Sequence, residues 1–80
     1  MSITKAEAVE MILKELERAE SLHPDFPSDI VHMGAVVAEE AGELIQACNN
    51  NEYHGTSDIN DLVTEAVQTG AMAIRFLINL

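Results

Sequence analysis

The sequence predicts an all-α fold built from three main helices. Three stretches repeat apolar residues at intervals of three and four, which is the period of an amphipathic helix. Two segments rich in proline or in turn-forming residues separate these stretches, and no run alternates apolar and polar residues as a strand would. The whole chain, residues 1–80, is therefore expected to form one small antiparallel helical domain.

The first helix is expected from about Thr4 to about Leu22. Thr4 and Glu7 stand three residues apart in the pattern of a capping box, in which each side chain bonds to the backbone N–H group of the other residue. Apolar residues then recur at helical spacing, namely Val9, Ile12, Leu13, Leu16 and Ala19.

The second helix is expected from about Asp29 to about Asn49, after a linker that contains Pro24 and Pro27. Each proline disfavours helical geometry at the residue before it, and Ser28 is a favourable N-cap. The apolar residues of this helix cover a wide arc, so it is predicted to be the central and largely enclosed helix.

The third helix is expected to begin at a cap on Ser57 or Asp58 and to pack antiparallel against the second. The segment from Asn49 to Ser57 is dense in turn-forming residues. A single core in 80 residues is marginal, and apolar residues cover more than one face of the second and third helices. We therefore expect a homo-oligomer, a dimer or a tetramer, with a four-helix-bundle core.

Charge and composition exclude several classes of protein. Fourteen acidic residues against four basic ones give a net charge of −10, which disfavours binding to nucleic acid and to anionic membranes. If the ligand is nonetheless an anion, a divalent cation would have to supply the positive charge. Cys48 is the single cysteine, and the N-terminus lacks the layout of a signal peptide, so a reduced, cytoplasmic setting is expected.

Carboxylates concentrate in the second helix, where Glu39, Glu40 and Glu43 fall on one side. Like charges at this spacing repel, and the cost rises when apolar neighbours partly enclose them. A bound cation would remove the repulsion, and oxygen ligands favour Mg²⁺, Mn²⁺ or Ca²⁺. An antiparallel third helix could complete the set with Glu65, although a solvated polar face remains the alternative.

The two acidic stretches resemble those of the all-α MazG-like nucleoside triphosphate pyrophosphohydrolases, in a compact phage or prophage type of the family. The resemblance covers residues 20–80 and rests on the motif Glu-Glu-x-x-Glu at residues 39–43, followed after residues 44–64 by Glu-x-x-Gln at residues 65–68. The segment His-Pro-Asp-Phe-Pro at residues 23–27 resembles the compact type. It implies Mg²⁺, with Mn²⁺ as a substitute, held by Glu40, Glu43, Glu65 and Gln68, and it gives Glu39 the role of activating water or of binding a second metal. The family pattern has Asp where this chain has Gln68.

The activity implied by the resemblance is hydrolysis of nucleoside or deoxynucleoside triphosphates to a monophosphate and pyrophosphate, as in the removal of unwanted nucleotides. The rival hypothesis is a non-catalytic, oligomeric, helical regulatory or binding module that keeps a degenerate acidic metal site. Gln68 favours the rival, because its amide oxygen can bind a hard cation but brings no charge.

Four further residues are candidate contacts for the substrate, namely His32, Arg75, Lys14 and Arg18. His32 lies on about the same helical line as the acidic motif and could touch a base or a phosphate. Arg75 follows Glu65 along one stripe of the third helix. The alternatives are a capping or core-edge role for His32 and a salt bridge for Arg75. Lys14, Arg18 or Arg75 of one subunit could reach phosphates bound by another.

Overall fold

The computed structural model describes residues 2–80, and within them the fold is all-α, as predicted. Helix α1 spans Lys5–Leu22, α2 spans Ile30–Asn49 and α3 spans Ile59–Ile78, with a π-helical turn at Asn50–His54 directly after α2. In the described part of the chain no helix is long and apolar enough to cross a membrane.

Capping side chains fix where each helix begins. The Thr4 hydroxyl accepts from the backbone N–H of Glu7 at 3.1 Å and the Glu7 carboxylate accepts from that of Thr4 at 3.0 Å, which confirms the predicted capping box. Helix α3 begins in the same way, with Asp58 and Asp61 as the reciprocal pair. The prediction of Ser28 as the cap of α2 was wrong, because the carboxylate of Asp29 accepts from the first-turn N–H groups of the helix.

The segment after α2 is more ordered than a simple turn. The π-helical residues 50–54 prolong α2 and end at Gly55, whose φ of 65° lies in the left-handed region that glycine adopts without strain. The N–H of Thr56 then donates to the carbonyl of Asn50 at 3.0 Å, which closes the turn.

Helix α3 lies at the centre, since it packs against both α1 and α2. Glu65 early in α3 meets Glu43 late in α2, whereas Leu77 late in α3 shares a groove with Gly34 early in α2, so these two helices are antiparallel as predicted. Helix α1 runs parallel to α3, because Ile12 meets Gly70 and the later residue His23 meets a later part of α3.

The prediction of α2 as the enclosed helix was wrong for the single chain. Ile30, Val31 and Ile45 are 63%, 78% and 58% exposed. The small residues Gly70 and Ala71 explain why α3 takes the central position instead. A Cβ atom on Gly70 would lie 2.9 Å from Cδ1 of Ile12, so glycine permits the close approach of α1.

The core is small and lies between α1 and α3. Its buried members are Leu16, Ala19, Ala71 and Met72, and residues from the linker and from α2 pack against it. The predicted four-helix core of an oligomer stays a prediction, and the exposed apolar residues of α2 are the surface that it would cover.

Candidate metal centre

Three carboxylates from two helices converge at one point. Glu40 and Glu43 lie one turn apart on α2, and Glu65 faces them from α3. One carboxylate oxygen of each residue lies within 4.8 Å of those of the other two. We call Glu40, Glu43 and Glu65 the carboxylate cluster.

Two oxygens of the carboxylate cluster are buried without a hydrogen-bond partner. They are Oε2 of Glu40 and Oε2 of Glu65, and neither accepts a hydrogen bond from any described residue. A buried acceptor left without a partner costs about 1–3 kcal/mol, and more when it carries charge. A cation bound between these oxygens would satisfy both, so the carboxylate cluster fits a metal ion.

The pKa values of the carboxylate cluster also indicate that its charged form is destabilised. Burial raises the pKa of Glu40, and the negative charges of Glu43, Glu65 and Glu39 raise it further. Burial also raises the pKa of Glu65, with smaller contributions from Glu43 and Asp61. Both carboxyls are thus harder to ionise in the folded chain than in water, and a nearby cation would reverse this.

The donors around the carboxylate cluster suit a hard cation. All three members offer oxygen, and no histidine or cysteine joins them in the described residues. Gln68 lies one turn after Glu65 on α3, is half-buried and lines a cavity together with Glu40. Carboxylate and amide oxygens are ligands that Mg²⁺, Mn²⁺ and Ca²⁺ accept, whereas structural zinc prefers nitrogen and sulfur.

Glu39 and His32 lie outside the carboxylate cluster. Glu39 is exposed, and its charge reaches Glu40 closely enough to raise the pKa of that carboxyl. His32 is exposed in the first turn of α2, where its backbone N–H donates to the side-chain carboxylate of Asp29 at 3.2 Å. Eight residues separate His32 from Glu40, which is about 12 Å along a helix, so the structure does not bring this histidine to the carboxylates.

A cavity of about 300 Å³ adjoins the carboxylate cluster. We call it the linker cavity, because the segment between α1 and α2 forms one of its walls. Its lining residues are Glu15, Arg18, Ala19, His23, Asp25, Phe26, Pro27, Val36, Glu40, Gln68, Met72 and Arg75.

Arg75 lies in the wall of the linker cavity and is only 4% exposed. Its guanidinium donates a hydrogen bond to the backbone carbonyl of His23, and its Cζ lies 4.9 Å from the centroid of the Phe26 ring. No ion pair of Arg75 occurs among residues 2–80. The structure shows hydrogen bonding and stacking with the linker in place of the salt bridge considered from the sequence, and the substrate contact stays a prediction.

Lys14 and Arg18 point to solvent and already have acidic neighbours. The amino group of Lys14 lies 3.1 Å from a carboxylate oxygen of Glu10. The guanidinium of Arg18 makes two hydrogen bonds of 2.8 Å to the carboxylate of Glu15. Arg18 lines the linker cavity, as Glu40 of the carboxylate cluster does, whereas Lys14 lies on a neighbouring groove.

Sequence reasoning missed the wall that the linker contributes. Asp25 and Phe26 line the cavity, but the segment was interpreted as a connection between helices and as a mark of the compact family type, not as part of a site. The available signal was an aromatic residue between two prolines, Pro24 and Pro27, which restrict the backbone on both sides of it.

The fold and the carboxylate cluster together define a three-helix all-α domain with a candidate site for a hard divalent cation. Comparison of the chain with protein-family models, with curated proteins and with solved structures gives no match. The carboxylate cluster and the linker cavity beside it are therefore the features that indicate a function.

Proposed function

We propose that this chain is a Mg²⁺-dependent nucleoside triphosphate pyrophosphohydrolase of the MazG-like type. The observation that supports it best is the convergence of Glu40, Glu43 and Glu65, with two buried oxygens that lack hydrogen-bond partners. Acidic helices that only face solvent do not bury unpaired carboxylate oxygens, because water would satisfy them.

The carboxylate cluster would hold the metal, with the amide oxygen of Gln68 as a further ligand from α3. When bound, Mg²⁺ would supply positive charge to the phosphates of the substrate and lower the pKa of a coordinated water. Glu39, exposed beside the carboxylate cluster, would accept the proton of the attacking water. The bond that breaks joins the α- and β-phosphates, which leaves a nucleoside monophosphate and pyrophosphate.

Gln68 supports a second candidate, a non-catalytic binding module with a weakened metal site. An aspartate at this position would bring a fourth negative charge to the site, whereas the amide brings none. The two candidates differ in turnover and agree in binding a metal, so an activity measurement separates them.

Self-association belongs to the same proposal. Gly34, Val37, Ala73, Phe76 and Leu77 line an almost wholly apolar groove between the start of α2 and the end of α3. Exposed apolar residues continue on both sides of this groove, so a second copy of the chain would bury them. We propose a symmetric dimer or a tetramer as the active form.

The test is Mg²⁺-dependent release of pyrophosphate across a panel of nucleoside triphosphates. Glu43→Gln should abolish release and leave the helical content unchanged, because Glu43 is exposed and its side chain supports no core packing. Glu17→Gln is the matched control, since it removes one exposed helical glutamate on α1 and should keep full activity. Equal turnover in the wild type, Glu43→Gln and Glu17→Gln would rule out the assignment.

A further inference from the structure

Arg75 is the one buried charged side chain among residues 2–80. A buried guanidinium is costly unless its N–H groups are bonded and its charge is balanced. Both of its described partners belong to the linker, the carbonyl of His23 and the ring of Phe26, and neither of them is charged. The buried position of the Arg75 guanidinium is therefore explained by these two contacts, which join the linker to α3.

The linker segment 23–29 has no helix or strand of its own. Within it, backbone hydrogen bonds involve only the two ends: the N–H of His23 donates to the carbonyl of Ala19 at the end of α1, and the carbonyl of Asp29 accepts from the N–H of Met33 in α2. Asp25 and Phe26 follow without a ladder to hold them, yet both line the linker cavity. The stacking of Arg75 on Phe26 and its bond to His23 therefore hold this wall against α3, together with the packing of Phe26 against the core.

The charges in the linker cavity do not suit a triphosphate. Three carboxylates line it, those of Glu15, Asp25 and Glu40. Of its two guanidiniums, Arg18 is bonded to Glu15 and Arg75 to the linker. Phosphates would meet repulsion here unless a metal lay beside them, which confines them to the carboxylate cluster at one end.

The remainder of the linker cavity suits a neutral, planar and partly apolar group. Ala19, Val36 and Met72 supply apolar surface, Phe26 supplies a ring, and Gln68 supplies an amide. Its volume of about 300 Å³ lies at the small end of the range for ligand sites, so it would take one part of a nucleotide.

We infer that the linker cavity binds the nucleoside end of the substrate and that Arg75 is a positioning residue that holds the linker as its wall. This inference rests on the proposed function for the identity of the ligand. Arg75 acts through Phe26 and His23, and it touches neither the metal site nor the reacting phosphates. The wall, and with it base recognition, is lost when the guanidinium is removed.

The first experiment measures backbone order in the linker by ¹⁵N relaxation, which needs no substrate. The amides of Asp25 and Phe26 should have order parameters near 0.85 in the wild type, and values below about 0.6 in Arg75→Met. Lys5→Met is the matched control, because it removes one positive charge from an exposed position at the start of α1. Unchanged order in Arg75→Met would overturn the positioning role.

The second experiment separates this role from the metal site. With pyrophosphate release as the assay, Arg75→Met should raise the KM for the nucleotide by roughly ten- to a hundredfold. This range corresponds to the free energy of one charged hydrogen bond, here the bond from Arg75 to the carbonyl of His23. It should leave kcat and the affinity for Mg²⁺ unchanged. An unchanged KM, or a loss confined to kcat, would contradict the inference.

Two conservative variants cover the case in which Arg75→Met does not fold. Arg75→Lys keeps the charge without the planar fork, and Phe26→Leu keeps the guanidinium without the ring. Both should lower the order parameters of the linker, and unchanged values in both would overturn the proposal. If the wild type releases no pyrophosphate, the proposed function fails, while the order parameters still decide the role of Arg75.

Discussion

Replacing Glu40 by glutamine should stabilise the metal-free protein. Oxygens of Glu40, Glu43 and Glu65 lie within 4.8 Å of one another. Coulomb's law at that distance gives about 0.9 kcal/mol of repulsion per pair in bulk water and about 3.5 kcal/mol at an effective dielectric constant of 20. Because Glu43 is exposed and solvent screens it, the lower part of that range applies.

Glu40→Gln removes two of the three repulsive pairs, so we expect a gain of about 1–2 kcal/mol in the free energy of unfolding. For a domain of this size the midpoint of thermal unfolding should rise by roughly 5–15 °C. The assay is thermal unfolding followed by circular dichroism in EDTA, with Glu17→Gln as the control for the general loss of one negative charge.

Saturating Mg²⁺ should reverse the order of stability, because the wild type gains binding energy that Glu40→Gln lacks. A lower midpoint for Glu40→Gln in EDTA would refute the reasoning. A rise no larger than that of Glu17→Gln would refute it as well, since the carboxylate cluster would then carry no special repulsion.

Three further outcomes are expected. Because the pKa values of Glu40 and Glu65 are raised above the ordinary value of 4.5, the folded state binds more protons than the unfolded state over that pH range. In EDTA the free energy of unfolding should therefore fall as the pH rises from about 4.5 until the pH passes the folded pKa values. A rise in the thermal unfolding midpoint over this pH window would contradict the prediction. Gln68→Asp should tighten Mg²⁺ binding about tenfold or more by calorimetry, and an unchanged affinity would place residue 68 outside the coordination shell. Light scattering after size-exclusion chromatography should give two or four times the 8.7 kDa of one chain, and Leu77→Glu should lower that mass, whereas a fully active monomer would exclude the oligomer.

Local signals in the sequence predicted most of the fold. The reciprocal pair of Thr4 and Glu7 determines the start of α1 by hydrogen bonds between residues three apart, which the sequence shows directly. The cap of α2 was assigned one residue early, to Ser28, because two adjacent residues were both good caps and only geometry could choose Asp29.

The choice of the central helix could not be predicted from composition. Helix α2 has the wider apolar arc, but the residues that allow close packing, Gly70 and Ala71, lie on α3. How closely two helices approach depends on the residues of both, so it cannot be predicted from the sequence of one helix alone. The apolar excess of α2 remains on the surface in the single chain, where Val31 is 78% exposed.

The carboxylate cluster follows from periodicity, and the linker cavity does not. Spacing within α2 puts Glu40 and Glu43 on one face, and an antiparallel partner brings Glu65 to them. The contact between Arg75 and Phe26 joins residues 49 positions apart in the sequence, and it depends on the path of a segment without regular structure. A periodic pattern in the sequence does not predict the backbone path of such a segment.

The most direct test of the central claim is to locate Mn²⁺ by anomalous diffraction from crystals of the wild type grown with Mn²⁺ near neutral pH. We predict an anomalous peak between the carboxylates of Glu40, Glu43 and Glu65, with Mn²⁺ in place of Mg²⁺. A carboxylate cluster without a peak at saturating Mn²⁺, or a peak bound elsewhere on the acidic surface, would contradict the assignment of these three residues as a metal centre.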